Sequence, residues 1–351
     1  MRSSCVKIPL IQRELLTQNS SRKVFHLSFD ISAVKINYEV GDALGVYPRN
    51  GFDIVSSFIK SFKLNADKIV YFSREDRFLT FYEYLVNFAN LDRIPSFCKS
   101  WLESKYSQDF SKYRFHELFS FFGNFDSFVS EQQFVDALGI LLPRFYSIAS
   151  YSSSKIDLLV NLVVVKENPE ILGTCSRYLC SLLSLNEPLA EVFLKRSRNF
   201  SLPLSSEDKP ILMIGTGTGL APFKGFLEKR KKTSPLLKNY LFFGDRYSSE
   251  NFYYREFFED LVKENILEIF CAFSRDQEER LYVQHLLLRQ KKLVQFILDQ
   301  SGYIFVCGSK VLGKSIDSTL LQILEENFGL IKSKQIMKDL CNQNRYVKDI
   351  Y

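Results

Sequence analysis

The densest chemical signal in the chain is a glycine cluster where an apolar run meets a helical pattern: Ile211-Leu-Met-Ile-Gly215-Thr216-Gly217-Thr218-Gly219-Leu220-Ala-Pro222-Phe223. Glycines at a strand-to-helix junction let the backbone approach a pyrophosphate, whose charge the helix N-terminus favours. The spacing is Gly-x-Gly-x-Gly, with Leu220 where the usual dinucleotide fingerprint carries its third glycine. No Gly-Lys-Ser/Thr follows, so it is not the phosphate loop of an ATPase. A structural turn is the alternative. Arg144-Phe145-Tyr146-Ser147-Ile148 is a second candidate. Strand alternation puts Arg144, Tyr146 and Ile148 on one face, a cation for a phosphate beside an aromatic for a flat ring. The alternative there is an ordinary strand with one exposed arginine. Gly173-Thr174-Cys175-Ser176 precedes a helical pattern and reads as an anion site or as a plain N-cap formed by Ser176.

Three further patches follow. Ser274 and Arg275 end an apolar run, with Arg280, Tyr282 and Gln284 close behind. A hydroxyl, two guanidiniums and a phenol would suit the phosphate monoester that separates NADP from NAD, or form a solvated loop. Cys307 closes the run Tyr303–Cys307, where a side chain can face a ligand crevice or be a small buried hydrophobe. The chain stops at Arg345-Tyr-Val-Lys-Asp349-Ile-Tyr351. Of the three histidines, His26 falls on the polar side of a strand, while His116 and His285 lie in helical patterns. Without a Gly-x-Ser-x-Gly elbow or a metal-ligand cluster, any chemistry belongs to a bound cofactor.

The elements that must position these residues change character along the chain. Val24–Ile31 alternates, with Phe25, Leu27, Phe29 and Ile31 on one face and His26, Ser28 and Asp30 on the other. From residue 52 to 133 apolar residues recur at helical spacing (Phe81, Tyr84, Leu85, Phe88) and strand signals are few, which predicts a helical insertion in a β-rich domain. Strand patterns return at Phe145–Ala149 and Ile156–Val165. Beyond Pro210, apolar runs (Ile211–Ile214, Tyr240–Phe243, Ile266–Phe273, Tyr303–Cys307) alternate with helical stretches, as in a parallel sheet buried on both faces. The boundary is expected near Leu204.

The 351 residues are 46% hydrophobic and 25% charged, a globular composition. The net charge of +6 is spread out, which argues against nucleic acid and leaves at most a weak preference for an acidic protein partner. Seven scattered cysteines without a CxxC pair disfavour disulfides and zinc. No secretion signal or membrane-length apolar run is present, so the expected location is cytoplasmic.

Taken in order, Gly41-Asp-Ala-Leu-Gly-Val46, Arg144–Ser150, Gly215–Phe223, Leu241-Phe-Phe-Gly244, Phe273–Gln277, Tyr282-Val-Gln284, Val306-Cys-Gly308 and Arg345–Tyr351 resemble the FAD- and NADPH-binding half of the diflavin reductases. This is a ferredoxin–NADP reductase-like family, and the flavoprotein subunits of bacterial NADPH–sulfite reductases are the nearest members. The resemblance implies an antiparallel β-barrel FAD domain (residues 1–204) with its helical insertion (52–133), then an α/β parallel-sheet NADPH domain (205–351). It implies that Arg144 pairs with the FAD pyrophosphate, Tyr146 packs on the flavin, and Ser147 lies near the ring nitrogen that receives hydride. Gly173, Thr174, Cys175 and Ser176 would cradle the FAD phosphates. Gly215, Thr216, Gly217, Thr218 and Gly219 would take the NADPH pyrophosphate, and Ser274, Arg275, Arg280, Tyr282 and Gln284 its 2′-phosphate end. Cys307 and Asp349 would flank the nicotinamide, and Tyr351 would cover the flavin.

Two departures are visible, Ser309 where relatives often carry Asp and Thr216 in place of a frequent Pro. The family's large members begin with an FMN-binding flavodoxin domain, and the FAD region here, starting within the first twenty of these residues, is expected to act without one. The implied activity is an NADPH-dependent FAD reductase that delivers electrons to a separate acceptor: a flavodoxin, a ferredoxin or a sulfite-reducing haemoprotein. A diaphorase using small acceptors and a redox-inactive partner-binding module are the competing functions.

Overall fold

The computed structural model describes residues 5–17, 20–124, 129–164, 172–187, 189–203, 206, 208–234 and 238–351. The expected boundary at Leu204 and strand end at Val165 lie outside them. In chain order the elements are β1 (Val6–Ile8), β2 (Leu10–Leu15), β3 (Val24–Asp30), β4 (Ala43–Val46), α1 (Phe52–Phe62), β5 (Ile69–Phe72), β6 (Arg77–Thr80), α2 (Phe81–Asn87), α3 (Ser96–Tyr106), α4 (Glu131–Ala137), β7 (Arg144–Ser147), β8 (Lys155–Asn161), α5 (Thr174–Arg177) and β9 (Ala190–Lys195). There follow β10 (Ile211–Thr216), α6 (Ala221–Thr233), β11 (Asn239–Asp245), α7 (Ser248–Asn251), α8 (Arg255–Lys263), β12 (Leu267–Phe273), α9 (Val283–Arg289), α10 (Lys291–Asp299), β13 (Tyr303–Gly308), α11 (Lys310–Asn342, interrupted at Gly329) and β14 (Tyr346–Ile350).

Described strand pairings up to Lys195 are antiparallel, and those from Ile211 onward are parallel. The first part holds a sheet in the order β1-β9-β4-β7 and another in the order β2-β3-β8. The chain turns from one to the other at Pro9, and a bridge from Ile148 to Leu158 joins the far edges, so the strands close around a core of Leu27, Phe29, Leu44, Ile148 and Leu158. The second part is one sheet, β12-β11-β10-β13-β14. Its central strands are apolar on both faces because helices cover both.

Between β4 and β7, α1 to α4 and a ten-residue 3-10 segment (Phe115–Asn124) pack around an aromatic core. Phe58, fully buried, has ring centroids of Phe62, Phe81, Phe115, Phe119 and Phe134 within 5.0–6.4 Å. The insertion departs from expectation twice. It contains a hairpin, β5–β6, where Ile69-Val-Tyr-Phe72 supplies β-branched and aromatic residues and Asp76 adopts φ 48° in the turn. It also runs past residue 133, through α4 to a bridge between Ala89 and Ile140.

A further departure concerns β3. His26 and Ser28 read as the polar side of the strand, and they are 8% and 1% exposed because the parallel-sheet part packs over them. The His26 Nδ1 lies 3.0 Å from the Tyr254 hydroxyl, and Ser28 bridges His26 Nε2 (3.2 Å) to the Asp157 carboxylate. Period-2 reading identifies a polar face, but not whether another layer covers it. The other two histidines also have structural settings: His116 sits 3.3 Å from Asp92, and His285 Nδ1 accepts the Tyr282 N–H at 3.3 Å.

Burial pushes the His26 pKa below its ordinary 6.5, opposed by Asp157 and assisted by Lys224 and Lys155. As pH falls through that value the unfolded chain takes up a proton that the folded chain refuses, so stability is lost toward acid. His26→Asn should therefore flatten the stability slope between about pH 7 and pH 5 in urea titrations; a slope identical to that of the parent protein would contradict the assignment.

Candidate functional site

A cavity of about 620 Å³ opens at the carboxyl edge of the parallel sheet. Each strand contributes at its end: Thr216 and Gly217 from β10, Gly244 from β11, Ala272 from β12, Ser309 past β13 and Tyr351 past β14. Ligands of open parallel sheets bind on this edge, near the point where strand order reverses on either side of β10. The glycine cluster forms a 3-10 turn, Gly217–Leu220, that feeds directly into α6 with Pro222 at its start. Gly217 is left-handed (φ 57°), and a Cβ on Gly219 would sit 2.2 Å from the Cys307 carbonyl oxygen. The turn is thus pressed onto the end of β13, with its backbone bare toward the cavity. Ser309, at one of the two sequence departures, caps α11 by accepting the Leu312 N–H at 3.2 Å.

Three guanidiniums surround this cavity, and two of them carry no sequence motif. Arg22, from the connection between β2 and β3, and Arg246, just past β11, both line it. Arg275 lies outside the lining, its guanidinium 5.9 Å from the Tyr247 ring centroid. Burial, and then repulsion from Arg22 and Arg275, lower the Arg246 pKa. Such crowding of cations is relieved by a bound anion. Arg22 is paired with Asp245 at 3.2 Å, and Tyr253 donates to the same carboxylate at 3.0 Å. Burial raises the Asp245 pKa, against the pull of Arg22. Of the expected 2′-phosphate residues, Ser274, Tyr282 and Gln284 line the cavity, whereas Arg275 and Arg280 are exposed beside it. Asp245 and Arg246 were findable as the residues after Leu241-Phe-Phe-Gly244 at a strand's carboxyl end. Arg22 was not, because its place depends on how the two parts dock.

On the barrel side, β7 carries Arg144, Tyr146 and Ser147. The Arg144 side chain is exposed and makes no ion pair or hydrogen bond to the described residues. Tyr146 packs beside Cys175, and its hydroxyl pKa is driven well up, first by burial. Burial likewise pushes the Cys175 thiol up to about 11. Gly173, not Ser176, is the N-cap of α5. The Ser176 hydroxyl accepts the Val163 N–H (3.1 Å) and donates to the Gly173 carbonyl (3.0 Å), and the Thr174 hydroxyl donates to Asp92 (2.8 Å). What this segment retains for an anion is therefore its first-turn amides rather than its hydroxyls. An unpartnered arginine beside an aromatic strand and a bare glycine turn facing crowded cations are the donor sets that two dinucleotides require.

One contact between the two halves joins β7 to β14. Ser147 donates to the Asp349 carboxylate at 3.1 Å, and the buried Cys307 thiol lies 4.0 Å from the same oxygen. The Tyr351 hydroxyl is 3.0 Å from the Thr218 hydroxyl, while the Tyr351 N–H donates to the Gly308 carbonyl at 3.1 Å. Tyr351 is thus 61% exposed yet tethered at both ends over the cavity. Burial, and then the neighbouring Asp349 charge, push the Cys307 thiol well above its ordinary range. At about pH 8 the thiol stays protonated and unreactive, so a charged thiol reagent should modify the exposed Cys341 and leave Cys307 intact until the protein is unfolded. Modification of both at one rate would contradict this setting. Gly219→Ala should cost about 1–3 kcal/mol or more in denaturant unfolding, since its methyl must displace the β13 backbone; an unchanged midpoint would show that the turn can retreat.

Among the described residues no helix is long and apolar enough to cross a membrane, and no group of three or more His, Cys, Asp or Glu is placed to hold a metal. All seven cysteines are unbridged. Comparison with known proteins matches residues 2–90 to the family described as FAD binding domain and residues 213–317 to the oxidoreductase NAD-binding domain. Curated relatives include the sulfite reductase [NADPH] flavoprotein alpha-components of Vibrio cholerae (30% identical, over 97% of this chain and 58% of the relative) and Aliivibrio fischeri (29%, 97% and 59%). That of Bacillus subtilis is 28% identical over 95% of this chain and 59% of its own length. The chain thus spans less than two thirds of the relatives it matches. An antiparallel part matched by an FAD-binding domain, a parallel part matched by an oxidoreductase NAD-binding domain and a cavity at the sheet edge beside their junction make the chain an oxidoreductase module of ferredoxin reductase-like fold for FAD and NAD(P).

Proposed function

We propose that this protein is an NADPH-dependent reductase that moves electrons through FAD to a separate acceptor protein, as a sulfite reductase flavoprotein module would. The observation that carries this reading is the junction at Ser147 and Asp349, where the expected flavin strand touches the end of the expected nicotinamide cleft at 3.1 Å. When bound, FAD supplies the chemistry, accepting a hydride from NADPH and passing electrons on singly. The protein's task is then positioning rather than acid–base catalysis.

In this reading Arg144 pairs with the FAD pyrophosphate, the Gly173–Ser176 amides hold its other oxygens, and Tyr146 packs on the ring. The glycine turn and Arg22 hold the NADPH pyrophosphate. Ser274, Arg275, Arg280, Tyr282 and Gln284, joined by Arg246, read the 2′-phosphate end. Asp349 and Cys307 flank the nicotinamide, Asp349 orienting Ser147. Tyr351 lies over the place the nicotinamide must enter, so binding has to displace its ring. NADH, lacking the 2′-phosphate anchor, does this less well. The domains divide near residue 204, and the cell compartment is the cytoplasm.

Acceptor identity is tested by supplying NADPH and the FAD-loaded protein with a flavodoxin, a ferredoxin or a sulfite-reducing haemoprotein. Reduction of at least one protein acceptor, faster than of a small quinone, supports the reading; reduction of the quinone alone favours a diaphorase. Arg275→Ala should raise the NADPH KM about tenfold or more while leaving that for NADH within about twofold. An equal loss for both would remove Arg275 from phosphate reading. Tyr351→Ala should narrow the ratio of NADPH to NADH kcat/KM, and an unchanged ratio would count against the displacement role.

A further inference from the structure

The helix that follows the glycine turn is also the element that grips the barrel. A Cβ on Gly225 of α6 would lie 3.1 Å from the Ser150 carbonyl oxygen and 3.3 Å from that of Ile148, so helix backbone rests almost directly on strand backbone. On either side of this contact the grip is polar. Lys224, 8% exposed, donates to the Ala149 carbonyl at 3.1 Å and to Glu228. Its ammonium is 3.8 Å from Asp157 and sits over the rings of Tyr254 and Phe257, 5.3 and 5.4 Å from their centroids. Glu228 in turn accepts the Tyr151 N–H at 2.7 Å. Beneath them, Tyr38 and Asp157 converge on the Ser150 hydroxyl, and Tyr254 reaches His26.

The gripped segment, residues 148–151, begins one residue past Ser147, and the gripping residues begin five past Gly219. This contact therefore lies close in sequence to both half-sites, in addition to the direct hydrogen bond from Ser147 to Asp349. Burying an ammonium costs several kcal/mol before its partners offset it, and apolar side chains would hold two surfaces together at less expense. The best-attested use of such buried charge is to select one register over its neighbours.

We propose that the grip of α6 on residues 148–151 sets the spacing between the flavin and nicotinamide half-sites, with Lys224 and Gly225 as positioning residues for hydride transfer. This deepens the function proposed above and rests on it. Neither residue lines the cavity or the β7 strand, so binding of each nucleotide is independent of them, whereas a shift of about 1 Å between reacting atoms costs roughly a hundredfold in rate.

The test uses FAD-loaded protein carrying Lys224→Met, Gly225→Ala or Lys224→Arg. It reads calorimetric unfolding, the Kd for 2′,5′-ADP, and the anaerobic rate of flavin reduction by NADPH with and without deuterium at the transferred position. We expect 2′,5′-ADP affinity within about twofold of the parent and flavin reduction slowed about tenfold or more with an enlarged isotope effect in Gly225→Ala and Lys224→Met. Lys224→Arg should recover most of the rate, and the parent should unfold in one transition that splits in two for Lys224→Met. Reduction at the parent rate in both disabling variants, or a slowing matched by an equal loss of 2′,5′-ADP affinity, would overturn the proposal. If the parent protein bound neither FAD nor 2′,5′-ADP, the functional reading would fail instead, and the split or unsplit transition would still decide whether the grip couples the two parts.

Discussion

The hydrogen bond from Ser147 to Asp349, across 202 residues of chain, is the contact on which the site depends. It forms only if an antiparallel barrel strand and the last strand of a parallel sheet end at the same place. Neither sheet can achieve that alone. β14 is an edge strand held by β13, and the turn beneath it fits because Gly219 has no side chain to strike Cys307. The half-buried carboxylate of Asp349 and the buried thiol of Cys307 then lie together. There the thiol is kept neutral, and the carboxylate keeps a hydroxyl partner from the opposite half.

Around this corner the electrostatics are arranged for anions. Arg22 and Arg275 both repel Arg246 beside the cavity, and the buried Asp245 offsets this by pairing with Arg22 and attracting Arg246. A cation cluster of that kind is unfavourable in isolation and stabilised by phosphate oxygens, which is the logic by which binding sites store affinity at some expense of fold stability. On the barrel side Arg144 stands exposed, beside Tyr146, whose hydroxyl pKa burial drives well up.

Much of this was legible in the order of residues. Short apolar runs separated by helical stretches announced the parallel sheet, and Gly215–Gly219 announced the turn, because both depend on local sterics. The β5–β6 hairpin was missed since four-residue strands carry too little periodicity to outweigh the helical spacing around them. For His26 and Ser28 alternation reports only a polar side of the strand, whereas burial of that side is decided by Tyr254, 228 residues from His26. Arg22 was invisible for the same reason: its role follows from docking, not from its neighbours. The Ser176 hydroxyl, read as a cap, is spent instead on holding Val163 and Gly173 together.

The central claim is that two nucleotides meet face to face at the Ser147–Asp349 corner. It is tested most directly by loading the protein with FAD and mixing it anaerobically with a single equivalent of NADPH while following the flavin absorbance. The account predicts that the yellow colour bleaches with about one NADPH oxidised per FAD. A protein that stays colourless when offered FAD, or stays yellow when offered NADPH, would contradict it.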